Sequence, residues 1–401
     1  MIKIISYTPK TAEAKLQSIS LPTHNPTNPQ SYHFLLTCQS GLESLVKREC
    51  EKLRLDNIRG QDRLVKCDGT EKNMYELLLW SRFANRVYLS LREEKITDFD
   101  TLHEVLREIV WSDYLTGKEQ IVIEASSTRS TLTSTPTIQS VAQNAIFSTL
   151  NTPNYTNDTE VHILILLIDN VAHVLIDITG DPLHKRGYRR ESGEAPIKEN
   201  LAAALVAFAN WKYSTPLLDP FCGSGTIPIE AIMIARNIAP GLFRSFRIEE
   251  LPFFDEERLE NTRAEAEKKI YPSGKYTVLA SDIEPEMVRI AEENARRAGV
   301  AGDIHFSVGN YLRYERGDMN DETSMGSLIT HHSSPITLIT NPPYGNRLQS
   351  EDIDDIYRKL IREVGENGGG FITSYPVDVR FGLANKKLLN GGEECRFWYK
   401  K

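Results

Sequence analysis

The chain has 401 residues, enough for about two to four domains and a sizeable buried core. Its 47 Lys and Arg residues against 55 Asp and Glu residues give a formal net charge of −8, and its 40% hydrophobic and 25% charged residues are typical of a soluble globular protein. This composition excludes a disordered or collagen-like chain. The net acidity also argues against sequence-blind binding of polyanions over the whole surface, so any contact with a nucleic acid should be local.

The apolar runs and the termini exclude further classes of protein. The best apolar run, from Ile163 to Ile168, is far shorter than the roughly 18 residues of a membrane-spanning helix, so no membrane partner is predicted. The first residues lack an apolar region followed by a signal-cleavage site, which predicts a cytoplasmic protein. The five cysteines form no C-x-x-C pair, so neither a disulfide framework nor a bound metal is expected.

The N-terminal half predicts a polar extension followed by two small modules. Residues 1–31 are rich in Thr, Pro, Asn and Ser, which predicts an extension without a packed element. Residues 32–98 combine the strand FLLTC, the helix LESLVKRECEKL and a helix-to-strand stretch at 73–92, a pattern typical of an α+β unit. Residues 99–182 alternate two helices, TLHEVLREIVWSDYL and TIQSVAQNAIFSTL, with three strands, IVIEASS, HILILLI and AHVLIDI.

A basic run, DPLHKRGYRR, closes the second module at residues 181–190. Its cations and its tyrosine form a candidate contact to the phosphates and bases of a nucleic acid. The residues concerned are Lys185, Arg186, Tyr188 and Arg189. Charge alone favours another interpretation, a solvated linker between two domains.

Residues 183–401 alternate strands and helices regularly. Short β-branched and leucine-rich strands between amphipathic helices indicate a parallel, doubly wound sheet, so the fold class is α/β. Ligands of such a sheet bind at the carboxyl ends of the strands, where the strand order reverses.

The loop after the first of these strands, DPFCGSGT at 219–226, is a candidate cofactor site. Gly223 and Gly225 permit a tight turn and a close approach of the backbone to a ligand, and the N-terminus of the following helix favours a negative group. Pro228 stands where a dinucleotide fingerprint has its third glycine, and the G-K-[ST] of a phosphate-binding loop is missing. Nicotinamide cofactors and ATP are therefore disfavoured.

Polar residues end the next two strands. Asp282 is well placed to accept hydrogen bonds from the ribose hydroxyls of an adenosine, although it could equally cap the helix that begins near Pro285. Asn310 could bond an adenine edge or serve as a turn asparagine.

The strongest local signal is Asn341-Pro342-Pro343-Tyr344-Gly345, directly after the strand ITLIT. Two prolines stiffen the chain, so the side-chain oxygen of Asn341 and the carbonyl of Pro342 can be held outward as acceptors for an amino group. Tyr344 offers a face on which a planar base can stack. The alternative is a rigid turn that carries a surface tyrosine.

Together these motifs resemble the class I S-adenosylmethionine-dependent methyltransferases that carry a THUMP RNA-binding domain, and most closely the bacterial 23S ribosomal RNA guanine-N2-methyltransferases. The resemblance runs from about residue 32 to the end. It rests on DPFCGSGT (219–226), SDIEPEMV (281–288), NPPYGNRL (341–348), HKRGYR (184–189) and GEAPIKENLAAAL (193–205), with TCQSGLESLVKRE and SSTRSTLTSTPTIQ nearer the N-terminus.

The resemblance implies a Rossmann-like methyltransferase domain at 183–401, preceded by a ferredoxin-like domain at 32–98 and a THUMP domain at 99–182 that together bind RNA. An insertion is expected from about 239 to 275. The cofactor would be S-adenosylmethionine, and Asn310 stands where the family more often has Asp. The implied cofactor contacts are Asp219, Phe221, Gly223, Ser224, Gly225, Thr226, Asp282, Ile283 and Asn310.

The resemblance also implies a reaction, the methylation of guanine N2 in 23S ribosomal RNA, either as naked RNA or in a pre-ribosomal particle. The implied catalytic residues are Asn341, Pro342, Pro343 and Tyr344. A transfer-RNA guanine-N2 enzyme of the same architecture is a close alternative, and N-P-P-Y alone does not distinguish guanine N2 from adenine N6. A DNA adenine methyltransferase, a nicotinamide-dependent Rossmann enzyme and a non-catalytic RNA-binding or ribosome assembly factor are less favoured.

Overall fold

The computed structural model describes residues 31–150, 159–189, 197–313, 336–344, 353–377 and 382–401. The chain divides into two compact units. The first takes the described residues of Met1–Cys38, Val46–Leu183 and Arg244–Ala264, and the second those of Gln39–Leu45, His184–Phe243 and Glu265–Lys401. The predicted extension lies outside the described residues except for Ser31. No helix in the described ranges is long and apolar enough to cross a membrane.

The described residues of the N-terminal half form one seven-stranded sheet with four α-helices. Its strands lie in the order β2-β3-β1-β4-β7-β6-β5, and every neighbouring pair is antiparallel except β5 and β6. The elements are β1 (Tyr32–Cys38), α1 (Glu43–Lys52), β2 (Asp56–Gln61), β3 (Leu64–Gly69), α2 (Glu71–Trp80), β4 (Ala84–Lys95), α3 (Phe99–Arg107), β5 (Gln120–Thr128), α4 (Thr135–Thr149), β6 (Glu160–Ile168) and β7 (Val171–Asp177).

Strand β4 joins the two modules that the sequence predicts for this half. It has 12 residues, and its first part pairs with β1 while its second part pairs with β7. Asp98 then starts α3 by accepting a hydrogen bond from the backbone N–H of Thr101 at 2.8 Å. The predicted boundary at 98/99 therefore falls at a helix cap, and the strands on its two sides belong to one sheet.

The C-terminal half forms a second seven-stranded sheet, in the order β10-β9-β8-β11-β12-β14-β13. Its elements are α5 (Glu199–Ala209), β8 (Leu217–Asp219), α6 (Thr226–Ala235), α7 (Glu256–Glu267), β9 (Val278–Asp282), α8 (Pro285–Arg297), β10 (Ile304–Val308), β11 (Thr337–Thr340), α9 (Ile353–Asn367), β12 (Gly369–Thr373), β13 (Ala384–Asn390) and β14 (Glu393–Tyr399). The strand order reverses at β8, which pairs with β9 on one side and with β11 on the other. The carboxyl ends of these strands are where such a sheet binds its ligands.

The last two strands correct the prediction of a wholly parallel sheet. Five strands are parallel, but β14 pairs antiparallel with both β12 and β13. Gly391 and Gly392 have φ angles of +61° and +97°, a conformation that glycine adopts without a steric penalty. A two-residue turn of this kind folds KLLNGGEECRFWY into a hairpin.

Part of the predicted insertion belongs to the first unit. Residues 244–264 lie there, although the chain on either side of them belongs to the second unit. The backbone N–H groups of Arg247 and Ile248 donate to the carbonyls of Thr179 and Ile178, at 3.2 and 3.1 Å. The backbone N–H of Asp255 donates to the hydroxyl of Tyr75 at 2.9 Å. The insertion therefore contributes to the packing of the N-terminal sheet.

Candidate active site

Asp219 connects the glycine loop with the N-P-P-Y loop. It is the last residue of β8, and its Oδ1 accepts a hydrogen bond from the hydroxyl of Thr340 at 2.6 Å. Thr340 is the last residue of β11 and directly precedes Asn341. The two strongest motifs of the sequence therefore meet at neighbouring strand ends.

The carboxyl group of Asp219 has an unusual environment. Its side chain is 1% exposed, and burial raises its pKa from 3.8 to about 7. The hydrogen bonds from Thr340 and from the backbone N–H of Phe221 oppose this rise in pKa, and the charge of Asp282 adds to it. Its Oδ2 is buried with no hydrogen-bond partner among the described residues. A buried acceptor of this kind suits a donor supplied by a ligand.

The two glycines of the loop serve different purposes. Gly225 precedes α6 with a φ of +82°, and a Cβ atom there would lie only 2.9 Å from the Cβ of Ala291 on α8. Gly223 has a φ of +53°, but a Cβ atom there would meet nothing within 4 Å. Gly225 therefore permits two helices to approach closely, whereas open space lies beside the backbone of Gly223.

Ser224 and Thr226 support this loop from inside the protein. Their side chains are buried, and the carbonyl of Ser224 accepts a hydrogen bond from Asn294 at 3.1 Å. Phe221 packs edge-on against Tyr311, with 5.3 Å between ring centroids, and belongs to the edge of a hydrophobic cluster. Cofactor contacts from these three side chains stay predictions.

Asp282 orders two backbone segments at the end of β9. Its Oδ2 accepts a hydrogen bond from the N–H of Gly223 at 2.9 Å, and its Oδ1 accepts one from the N–H of Glu284 at 3.0 Å. The second of these bonds forms a turn just before α8, whose N-cap residue is Glu284, so Asp282 is not the helix cap that the alternative interpretation expected. Carboxylate oxygens have further acceptor capacity, and the ribose contact stays a prediction. Next to it, the apolar side chain of Ile283 is 59% exposed.

Asn310 forms the turn that the sequence left open as an alternative. Its Oδ1 accepts a hydrogen bond from the backbone N–H of Leu312 at 2.9 Å. The contact with adenine stays a prediction. It would use the hydrogen-bonding capacity of the Asn310 side chain that the turn does not take up.

The N-P-P-Y loop is held at its second half. The carbonyl of Pro343 accepts a hydrogen bond from the hydroxyl of Tyr357 at 3.2 Å, and the hydroxyl of Tyr344 accepts one from Asn390 at 2.6 Å. The Oδ1 of Asn341, by contrast, is buried without a hydrogen-bond partner in the part of the chain that the structure describes. The rest of this motif, residues 345–348, lies outside the described residues.

The structure corrects the predicted role of two residues of the basic run. Arg186 and Tyr188 are only 3% and 4% exposed, so neither side chain can contact a phosphate or a base in this structure. The Nε of Arg186 lies 3.5 Å from Oε1 of Glu230, and the hydroxyl of Tyr188 donates to the same oxygen at 3.3 Å. A buried cation needs a counter-charge, and this carboxylate on α6 provides it.

The other two cations of the run differ from each other. Arg189 pairs with Glu199 of α5 at 2.9 Å and donates to the carbonyl of Ile197, also at 2.9 Å. Lys185 is exposed, and its phosphate contact stays a prediction. Arg190 lies outside the described residues.

Several residues of the site were missed by sequence reasoning. Glu199 and Glu230 had a usable signal, because each is an acidic residue in an otherwise apolar helix. Thr340 had a weaker one, as the polar end of a buried strand. Tyr357 and Asn390 had none, because they lie 14 and 46 residues from their partners Pro343 and Tyr344, too far for a local sequence pattern to connect them.

The assembled edge of the sheet is rich in acceptors. The carboxylate and amide oxygens belong to residues at the ends of neighbouring strands, namely Asp219, Asp282 and Asn341. Gly223, which has open space beside its backbone, lies in the loop that follows Asp219. Such a set suits a ligand with amino and hydroxyl donors, together with a second ligand that presents an amine.

Comparison with known proteins agrees with this chemistry. The family model described as UPF0020, RMKL-like, methyltransferase domain matches residues 186–374, and the RlmL ferredoxin-like domain matches residues 33–88. YpsC of Bacillus subtilis (strain 168), named as a candidate RNA methyltransferase, is 33% identical over 343 residues, which cover 82% of this chain and 84% of YpsC.

Longer relatives and a solved structure are also similar. The ribosomal RNA large subunit methyltransferase K/L of Psychromonas ingrahamii is 33% identical over 381 residues, which cover 90% of this chain but 49% of that protein. The chain thus spans about half the length of the K/L relatives it matches. The crystal structure of SMU.472, named as a candidate methyltransferase complexed with SAH, has a TM-score of 0.78 and 30% identity, covering 92% of this chain and 98% of its own.

Proposed function

The chain belongs to the RMKL-like methyltransferase family, and from this premise we propose that it transfers a methyl group from S-adenosylmethionine to the N2 amine of a guanine in 23S ribosomal RNA. One observation carries the proposal. Asp219 Oδ2 and Asn341 Oδ1, at the ends of two neighbouring strands, are both buried without a hydrogen-bond partner among the described residues. One acceptor would serve the cofactor and the other the target amine.

The residues at the glycine loop fit S-adenosylmethionine. Asp219 would accept from the ammonium group of its methionine part, the open backbone beside Gly223 would receive the chain of that part, and Asp282 would accept from the ribose hydroxyls. The exposed side chain of Ile283 would cover an adenine face. When bound, the cofactor supplies a methyl group on a positively charged sulfur. SMU.472, with SAH bound, supports this choice of cofactor.

The N-P-P-Y loop would prepare the amine for transfer. The lone pair of guanine N2 is delocalised into the ring, so this nitrogen is a poor nucleophile. If Asn341 Oδ1 and the carbonyl of Pro342 each accept a hydrogen bond from one N–H group of this amine, the lone pair of the nitrogen is directed to the methyl group. As the bond from N2 to the methyl group forms, the bond from that methyl group to sulfur would break and leave a neutral thioether. The methylated nitrogen would then lose one proton to water. Positioning of this kind provides most of the acceleration, and no strong base is needed before transfer because the amine becomes acidic only once methylated.

RNA is the substrate class that the relatives favour. The curated relatives carry names of RNA and ribosomal RNA methyltransferases, and the match to the RlmL ferredoxin-like domain at 33–88 falls in the half that we expect to bind RNA. The choice of large-subunit RNA comes from the names of the K/L relatives. It is a proposal for this chain, because the chain spans only about half of their length. The THUMP domain at 99–182, the phosphate contact of Lys185 and a cytoplasmic location are proposed with it.

Incorporation of a labelled methyl group from S-adenosylmethionine into unmodified total RNA, followed by nucleoside mass spectrometry, tests the proposal. We expect N2-methylguanosine in the 23S fraction. The same nucleoside in transfer RNA would move the substrate to the close alternative, and N6-methyladenosine would overturn the base. Label in no RNA or ribosomal particle, with the cofactor still bound, would indicate a non-catalytic RNA-binding protein.

The cofactor site has its own test in Asp282→Ala. Loss of charge-assisted hydrogen bonds should weaken the binding of S-adenosylmethionine by about 10- to 100-fold, measured by equilibrium titration. Asn310→Ala is the matched control, with an expected loss of about threefold, because one neutral hydrogen bond is at stake. Unchanged affinity in the Asp282 variant would remove this residue from the site.

A further inference from the structure

The hydroxyl of Tyr344 has two partners on the hairpin of β13 and β14. Asn390 donates to it from Nδ2 at 2.6 Å, and the thiol of Cys395 donates to it at 3.7 Å. Burial and the neighbouring Cys395 raise the pKa of Tyr344, so the hydroxyl stays protonated at neutral pH. The tyrosine is therefore tied by its far end to a part of the chain that contributes nothing else to the proposed chemistry.

The hairpin is a firm support for such a bond. Asn390 is the last residue of β13 and pairs with Glu393 across the turn, while Cys395 is 1% exposed and pairs with Leu388. Strand β14 in turn pairs with β12, the neighbour of β11. Strand β11 of this sheet leads directly into the N-P-P-Y loop, so the same sheet sets the positions of the loop and of Asn390.

A second bond holds the loop one residue earlier. Tyr357 donates to the carbonyl of Pro343 at 3.2 Å, and its hydroxyl lies 2.6 Å from the hydroxyl of Thr373 on β12. With the backbone held at Pro343 and the ring held at its hydroxyl, Tyr344 loses most of its rotational freedom. The ring can then offer one fixed face, and the entropy of ordering it does not have to be lost when a base binds.

We propose that Asn390 is a positioning residue, which orients the ring of Tyr344 so that the target base stacks with its exocyclic amine at Asn341. This inference rests on the proposed function and deepens it, because it assigns the terminal hairpin a part in aligning the substrate. Asn390 itself touches neither the base nor the cofactor.

A double-mutant cycle of Tyr344→Phe and Asn390→Ala tests this inference in the full chain. Each single variant should lower kcat about threefold to tenfold, because it loses a hydrogen bond that keeps the ring of Tyr344 aligned. The affinity for S-adenosylmethionine should not change. The double variant should be no slower than Tyr344→Phe alone, because that change already removes the bond to Asn390. Asn390→Asp, which can accept from the Tyr344 hydroxyl, should restore most of the lost rate.

Asn385→Ala is the matched control. It lies on the same strand and removes a surface bond to Arg396 at 2.8 Å, so it should not change kcat. Wild-type rates in both single variants, or losses that multiply in the double variant, would overturn the inference while leaving the proposed function intact. A wild-type chain without transfer to any RNA would overturn the proposed function and this inference together.

Discussion

The N-P-P-Y loop and the basic run 184–189 are both polar motifs next to buried strands and helices, yet the fold treats them differently. In the loop, the amide oxygen of Asn341 is buried without a partner among the described residues. In the run, Arg186 and Arg189 are matched by Glu230 and Glu199. A buried polar group that the protein itself satisfies stabilises the fold, whereas one that it leaves unsatisfied is a candidate for binding a ligand.

The largest expected effect is on catalysis, in Asn341→Ala. Removing a preorganised polar group from a reaction centre typically lowers kcat by about 100- to 1,000-fold, and we expect a loss of this size. The affinity for S-adenosylmethionine should stay within about twofold of the wild type, because Asn341 is assigned to the target amine and not to the cofactor. Single-turnover methylation and equilibrium binding measure the two quantities. Loss of cofactor binding would assign Asn341 to the cofactor instead.

Glu230→Gln should break the other side of the comparison. It removes the carboxylate that pairs with the buried guanidinium of Arg186, which should lower the free energy of unfolding by about 3–5 kcal/mol in a urea titration. The control is Glu292→Gln, whose carboxylate is 48% exposed and 4.0 Å from Arg296, and which should change stability by less than about 1 kcal/mol. A Glu230 variant of wild-type stability with impaired RNA binding would contradict the structural role of the run.

Asp219 should make cofactor binding depend on pH. Its pKa of about 7 means that half of the free protein holds a neutral carboxyl group at that pH. If the ammonium group of the cofactor requires the carboxylate, binding releases a proton from the neutral form, and the dissociation constant should rise by about fivefold from pH 7 to pH 6. Asp219→Asn should bind more weakly and without this dependence. A wild-type affinity that is constant over the same range would show that Asp219 does not meet the ammonium group.

Lys185→Ala should have the smallest effect. Lys185 is the exposed cation of the run, so its loss should weaken RNA binding by severalfold at most, reduce the salt dependence of the affinity by about one counterion and leave unfolding unchanged. Filter binding at several salt concentrations measures both quantities. An unchanged salt slope would remove Lys185 from the RNA interface.

The sequence by itself determined the alternation of strands and helices, and it placed Asp219, Asp282 and Asn341 at strand ends, because hydrophobic periodicity and turn residues act over a few positions. Only the tertiary structure decided which strands are neighbours. The pairing of β4 with both β1 and β7, the place of residues 244–264 in the first unit and the bond between Asn390 and Tyr344 all join distant residues.

The basic run shows the same limit at the level of single side chains. A charged residue in a sequence is expected at the surface, so four cations close together suggest either a solvated linker or a contact to a polyanion, and both interpretations place the cations in contact with solvent. Whether a cation is buried depends on an acidic partner elsewhere, and Glu230 lies 44 residues beyond Arg186. Local pattern predicts the elements and the ends at which ligands bind, but the balance of charge inside the protein is set only when distant parts of the chain pack together.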